Sequence, residues 1–144
     1  MTTLLTLDEI RVEVERLAGI IGAPGTELPT YGYSEQSGRP HIEVDERGYC
    51  YVVAERGTEF SRDRTTDLDE LLYVVFKSVT RQSAREFAMK HRVIGQDSRR
   101  PLFKHQLEVM SILSPMWAER LAEFYKGVLR EYPFDDRTAD DLSK

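Results

Sequence analysis

Apolar residues recur at helical spacing in four stretches of the chain and alternate with polar ones in a fifth. Ile10, Val14, Leu17, Ala18 and Ile21 mark the first helix. Thr6-Leu7-Asp8-Glu9 opens it as a capping box, in which a hydroxyl and a carboxylate satisfy exposed backbone donors, and Gly22-Ala23-Pro24-Gly25 closes it. From His41 to Asp45 the pattern alternates, Glu46-Arg47-Gly48 reads as a turn, and Tyr49 to Ala54 is rich in strand formers. Gly57 permits a second turn into Thr58 to Arg64, which makes a three-stranded antiparallel meander.

Helical spacing then returns. Leu71, Leu72, Val75, Phe76, Val79 and Phe87 form the apolar stripe of the longest helix, capped by Asp67 and running to about His91. Gly95-Gln96-Asp97-Ser98 interrupts it. A third helix follows, with Pro101 in its first turn and Leu102, Phe103, Leu107, Met110 and Leu113 on its buried face. Ser114-Pro115 reads as cap and first residue of a last helix carrying Trp117, Leu121, Phe124, Val128 and Leu129. Helix, strands and three helices without β-α-β alternation predict an α+β fold with the later helices on one face of a small sheet. One domain over 1–144 is expected, ordered over about 6–134, with an acidic tail that frays.

Residues 23–39 form a long loop rich in Pro, Gly and Ser, and a short edge strand at Thr30 to Ser34 is compatible with it. Its Tyr31 and Tyr33 suit either recognition or the covering of one end of the core.

The net charge is -5, yet the charge is unevenly spread. Lys77 to Lys104 carries eight bases against two acids, whereas residues 7–59 carry eleven acids against five bases. Such opposed patches can steer a charged partner. The N-terminus lacks the basic segment of a secretory signal and no apolar run reaches a membrane span, so a cytoplasmic location is expected. The single cysteine, Cys50, sits within a strand pattern and suits packing better than nucleophilic attack.

Candidate chemistry is sparse. His41, His91 and His105 show neither paired metal-ligand spacing nor a helical zinc motif, so hydrogen-bonded structural roles are expected, with no metal and no cofactor. Lys77, Arg81 and Arg85 recur every four residues and would form a basic ridge, the basis of an alternative reading as a nucleic-acid-binding or regulatory module. Arg92, Asp97, Arg99, Arg100 and Gln106 surround the break between two helices, and their forked donors and carboxylate suit locking that corner.

Four blocks in this order, HIEVDERGYCYVVAERG, TTDLDELLYVVFKSVT, KHRVIGQDSRRPLFKHQLEVMSIL and SPMWAERLAEF, resemble the immunity protein 63 family of bacterial polymorphic toxin systems over roughly residues 7–136. The family pattern often has an acid directly after the aromatic at Phe87, where this chain has Ala88. The resemblance implies a non-enzymatic cytoplasmic antidote that binds a cognate toxin domain and blocks it, with no catalytic set to transfer. Tyr31, Tyr33 and Glu35 of the loop, with Asp45 and Glu46 at the hairpin tip, combine aromatic anchors with negative charge and are the expected toxin contacts.

Overall fold

The computed structural model describes residues 3–137, so most of the acidic tail expected to fray lies outside the described residues. The chain divides into two compact units, Met1–Phe76 and Lys77–Lys144, with the boundary inside one long helix. The element order is α+β: helix α1 (Leu7–Ile21), strands β1 (Thr30–Tyr31), β2 (His41–Asp45), β3 (Gly48–Glu55) and β4 (Thr58–Thr65), then helices α2 (Leu68–Lys90), α3 (Arg99–Leu113) and α4 (Pro115–Glu131).

In the first unit, Thr6 Oγ1 accepts from the Glu9 amide and Glu9 Oε1 accepts from the Thr6 amide, the reciprocal cap read from the sequence. α1 buries Ile10, Val14, Leu17 and Ala18 and ends at Gly22, whose φ of 68° suits glycine. The sheet has four strands in the order β1-β2-β3-β4 rather than the three of a simple meander. The added strand, β1, runs parallel to β2. It is two residues long and is held by the Thr30 amide on Pro40 O and the Gly32 amide on Ile42 O. It falls within the short edge strand read at Thr30 to Ser34 but stops at Tyr31.

Register sorts the sheet into two faces. Ile42, Tyr49 and Tyr51 fall on one; His41, Glu43, Cys50, Val52, Arg62 and Arg64 fall on the other. α1 packs against β2, and the Tyr49 hydroxyl accepts from the Leu5 amide at 2.7 Å on the first of these faces. β3 is the buried strand. β4 is the edge strand, and every residue from Thr58 to Arg64 is exposed. Arg56 and Gly57, at φ 51° and 79°, make the β3–β4 turn, with both central residues left-handed as a tight hairpin requires. A register shift opposite Val53 and Ala54 makes Phe60 an extra, bulged residue.

In the second unit, α3 and α4 pack against one another. Ser114 Oγ accepts from the Trp117 amide and Pro115 opens α4. The α4 stripe is Trp117, Leu121 and Tyr125 rather than one continuing through Phe124, which is 45% exposed. On α3 the buried face is Phe103, Gln106 and Met110, while Leu107 and Leu113 are half-buried. A glutamine thus occupies the center of a helix face that the apolar pattern assigns to leucine.

Candidate functional site

The polar face of the sheet carries a lattice of ion pairs. Arg62 on β4 reaches Glu43 on β2 at 3.0 Å and Glu59 on its own strand at 2.6 Å, and Arg64 reaches Asp45 at 2.7 Å. Both arginines therefore span the intervening β3, covering Cys50 and Val52, which are fully buried. Hydrogen bonds from Arg62 and then His41 lower the Glu43 carboxyl. Arg64, with the Arg47 amide, holds Asp45 at about 2. His41 Nε2 lies 2.7 Å from Glu43 Oε2, while its buried Nδ1 has no hydrogen-bond partner. Cys50 is enclosed rather than presented to solvent, which removes the access a nucleophile needs.

The five expected contact residues do not share one patch. Asp45 and Glu46 are exposed at the β2–β3 tip, whereas Gln36 and Gly38 of the long loop bond to Arg56 and Ala54 at the other end of β3. Tyr33 is 60% exposed and Glu35 is exposed beside Arg39. Tyr31 departs from the expectation of an exposed anchor. It is half-buried, its hydroxyl is enclosed without a hydrogen-bond partner, and burial, reinforced by the Glu15 charge, pushes it up to about 12. Arg39 orders this loop, donating to Leu28 O at 2.8 Å and Gly25 O at 3.0 Å.

The polar group at the α2–α3 break separates into parts. Asp97 accepts from the Arg99 amide and guanidinium and from the Asp135 amide, while its own amide donates to Asp136. Arg100 completes the knot on Asp136 at 2.9 Å and lies 4.2 Å from the center of the Phe134 ring. The start of the polar tail, expected to fray, is fastened through Asp136. Gln106 belongs elsewhere: it donates to Lys77 O and Thr80 Oγ1 and accepts from the Tyr125 hydroxyl, all within the helical unit. Arg92 is exposed and lines a groove of about 400 Å³ with Arg85, Ala88, Met89, Ser98 and Leu102.

Burial alone would raise the Asp97 carboxyl, but the Arg99 guanidinium and the Asp135 and Arg99 amides outweigh it and hold it at about 2, below its ordinary 3.8. The folded state thus binds fewer protons than the unfolded state between those values. The stabilisation is present above the ordinary value and is lost as pH falls through about 2. We expect Asp97→Asn to remove of order 2 kcal/mol at neutral pH and to flatten acid unfolding in that window, as read by urea titrations at stepped pH.

The remaining chemistry is structural in geometry. Phe87 is stacked between His91 and His105, with ring centers 4.1 Å and 3.9 Å away. Two imidazoles on opposite faces of one ring cannot share an ion. No group of three or more His, Cys, Asp or Glu that could hold a metal occurs among the described residues. The basic ridge is uneven: Lys77 Nζ lies 3.5 Å from the center of the Phe124 ring, Arg81 is half-buried and Arg85 is exposed. No helix among the described residues is long and apolar enough to cross a membrane.

No curated protein and no solved structure matches the chain. Residues 45–126, from the β2–β3 tip into α4, match the sequence pattern described as Immunity protein 63, and the chain belongs to that family.

Proposed function

We propose that this protein is a cytoplasmic antidote that binds the toxic domain of a cognate polymorphic toxin and occludes it, without catalysis. The family match over residues 45–126 carries this reading, since it takes in β3, β4, α2, α3 and most of α4. The charge distribution supports it. A net charge of -5, with acids exposed at Asp45, Glu46 and Glu35, favours encounter with a basic active-site surface. Tyr33 adds an exposed aromatic ring near Glu35 in the chain, and Tyr31 contributes at most part of its ring. The candidate contacts stand at two ends of one sheet, so a toxin that uses them either bridges those ends or takes one.

Co-expression with the toxic C-terminal domain encoded beside this chain tests the reading. Survival of the cells together with a 1:1 complex on co-purification is the expected result. Survival without a complex would replace binding by enzymatic reversal of damage, and death despite soluble expression would remove the antidote role.

A further inference from the structure

We propose that the free edge of β4 receives a β-strand of the toxin domain, extending the sheet through main-chain hydrogen bonds; this rests on the toxin-binding reading above. β4 pairs with β3, and among the described residues no strand lies beyond it. Proteins normally blunt so long an edge with projecting charges, proline, a bulge or a covering segment, and the one bulge in β4, at Phe60, stands before the stretch from Ser61 to Arg64. Here the charges are drawn away. Arg62 and Arg64 reach back across β3 to Glu43 and Asp45, so their guanidiniums lie over the sheet instead of beyond its margin. On the opposite face Ser61 and Asp63 are short. The main chain from 61 to 64 is therefore open to an approaching strand.

The pairing pattern identifies the available groups. The carbonyl oxygen of Thr65 stands 2.5 Å from where a Cβ on Gly48 would lie, so Thr65 faces β3. Antiparallel pairing alternates inward and outward groups, which turns the N–H and C=O of Arg62 and Arg64 toward the open side. The occupant is an extended segment with a Lys or Arg opposite Asp63. That carboxylate lines a cavity of about 140 Å³ with Tyr51, Arg64, Thr65, Glu70, Leu71 and Val74, which gives a basic side chain a recess beside Asp63 to enter. Phe60, 64% exposed at the bulge, supplies an apolar contact at the far end.

A second copy of this chain fits poorly. Two-fold pairing centered on Asp63, whose carboxylate is not drawn back over the sheet, opposes two carboxylates. Like charges at the middle of the edge thus disfavour self-pairing and leave it to a partner of different sequence.

The test separates the main-chain amide from the side chain. Arg64→Pro removes the outward N–H, which an edge strand tolerates, while Arg64→Ala keeps the N–H and loses the same ion pair. With the co-purified toxic domain as probe, Arg64→Pro should weaken binding at least about fiftyfold and Arg64→Ala less than about fivefold. Wild-type protein supplies a readout independent of any variant's folding: hydrogen exchange at the Arg62 and Arg64 amides should slow by about tenfold or more in the complex. Unchanged exchange there, or equal loss of binding in both variants, would overturn the edge proposal while the toxin-binding reading stands. A wild-type chain that captures no toxin would overturn that reading and the edge proposal with it.

Discussion

Replacing Gln106 with leucine, a change of similar volume that matches the surrounding apolar pattern of α3, is expected to cost about 3 kcal/mol of stability. The side chain is fully buried, and both ends of its amide are used. Nε2 donates to Lys77 O at 2.9 Å and to Thr80 Oγ1 at 3.2 Å, while Oε1 accepts from the Tyr125 hydroxyl. Leucine fills the space and restores none of these bonds. The phenol loses its acceptor in a site it shares with Phe103, stacked 3.7 Å away. Water cannot readily replace these bonds inside a packed helical unit, so the penalty is the loss of three hydrogen bonds at a buried site. Tyr125→Phe removes the donor of the bond to Gln106 Oε1 that Gln106→Leu also removes. The double variant should therefore recover about 1 kcal/mol or more relative to the sum of the single changes. Urea unfolding of the four proteins closes the cycle. A loss below about 1 kcal/mol in Gln106→Leu, or simple additivity, would show that the network does not act as a unit.

The same glutamine marks the boundary of what the sequence discloses. Helix ends are local: Thr6 with Glu9, Asp67 before Leu68, and Ser114 before Pro115 each state their cap within four residues, and the structure forms them. Helix faces are less local. After Leu121 a 3.6-residue period allows either Phe124 or Tyr125 to turn inward, and hydropathy alone selects phenylalanine. Tyr125 turns inward where its hydroxyl meets Gln106, nineteen residues away, and Phe124 stays outside beside the Lys77 ammonium. Likewise, the acids at 135–136 read as a solvated tail until Asp97 and Arg100 are brought to them.

The candidate site was legible to a similar depth. Loop composition identifies Tyr33 and Glu35 as exposed, but not the burial of the Tyr31 hydroxyl, which depends on how the short strand β1 within the loop joins β2. Alternation in β2 turns Glu43 and Asp45 to one face, yet their partners Arg62 and Arg64 lie nineteen residues on and across another strand. Only the register makes them pairs, and the same register opens the edge beside them.

Gly48→Ala is expected to be the most damaging single-methyl change in the sheet, costing more than about 3 kcal/mol. At φ 130° an L-residue is strained whatever space surrounds it, and here there is no space. The new Cβ would stand 2.5 Å from the Thr65 carbonyl oxygen and 3.1 Å from its carbon. Neither side yields easily, because Gly48 closes the pairing with Asp45 and Thr65 is paired with Tyr49. Gly57→Ala provides the comparison. Its φ is also positive, at 79°, but nothing lies within 4 Å of the added methyl, so backbone strain alone should cost about 1 kcal/mol. The difference between the two variants in thermal or urea unfolding isolates the steric part; similar losses would mean that β4 shifts freely at Thr65. If β4 is held there as tightly as the distances require, Gly48→Ala should also disturb the outward amide of Arg64 and weaken toxin capture. Gly57→Ala, at the far turn, should leave capture within about twofold of wild type.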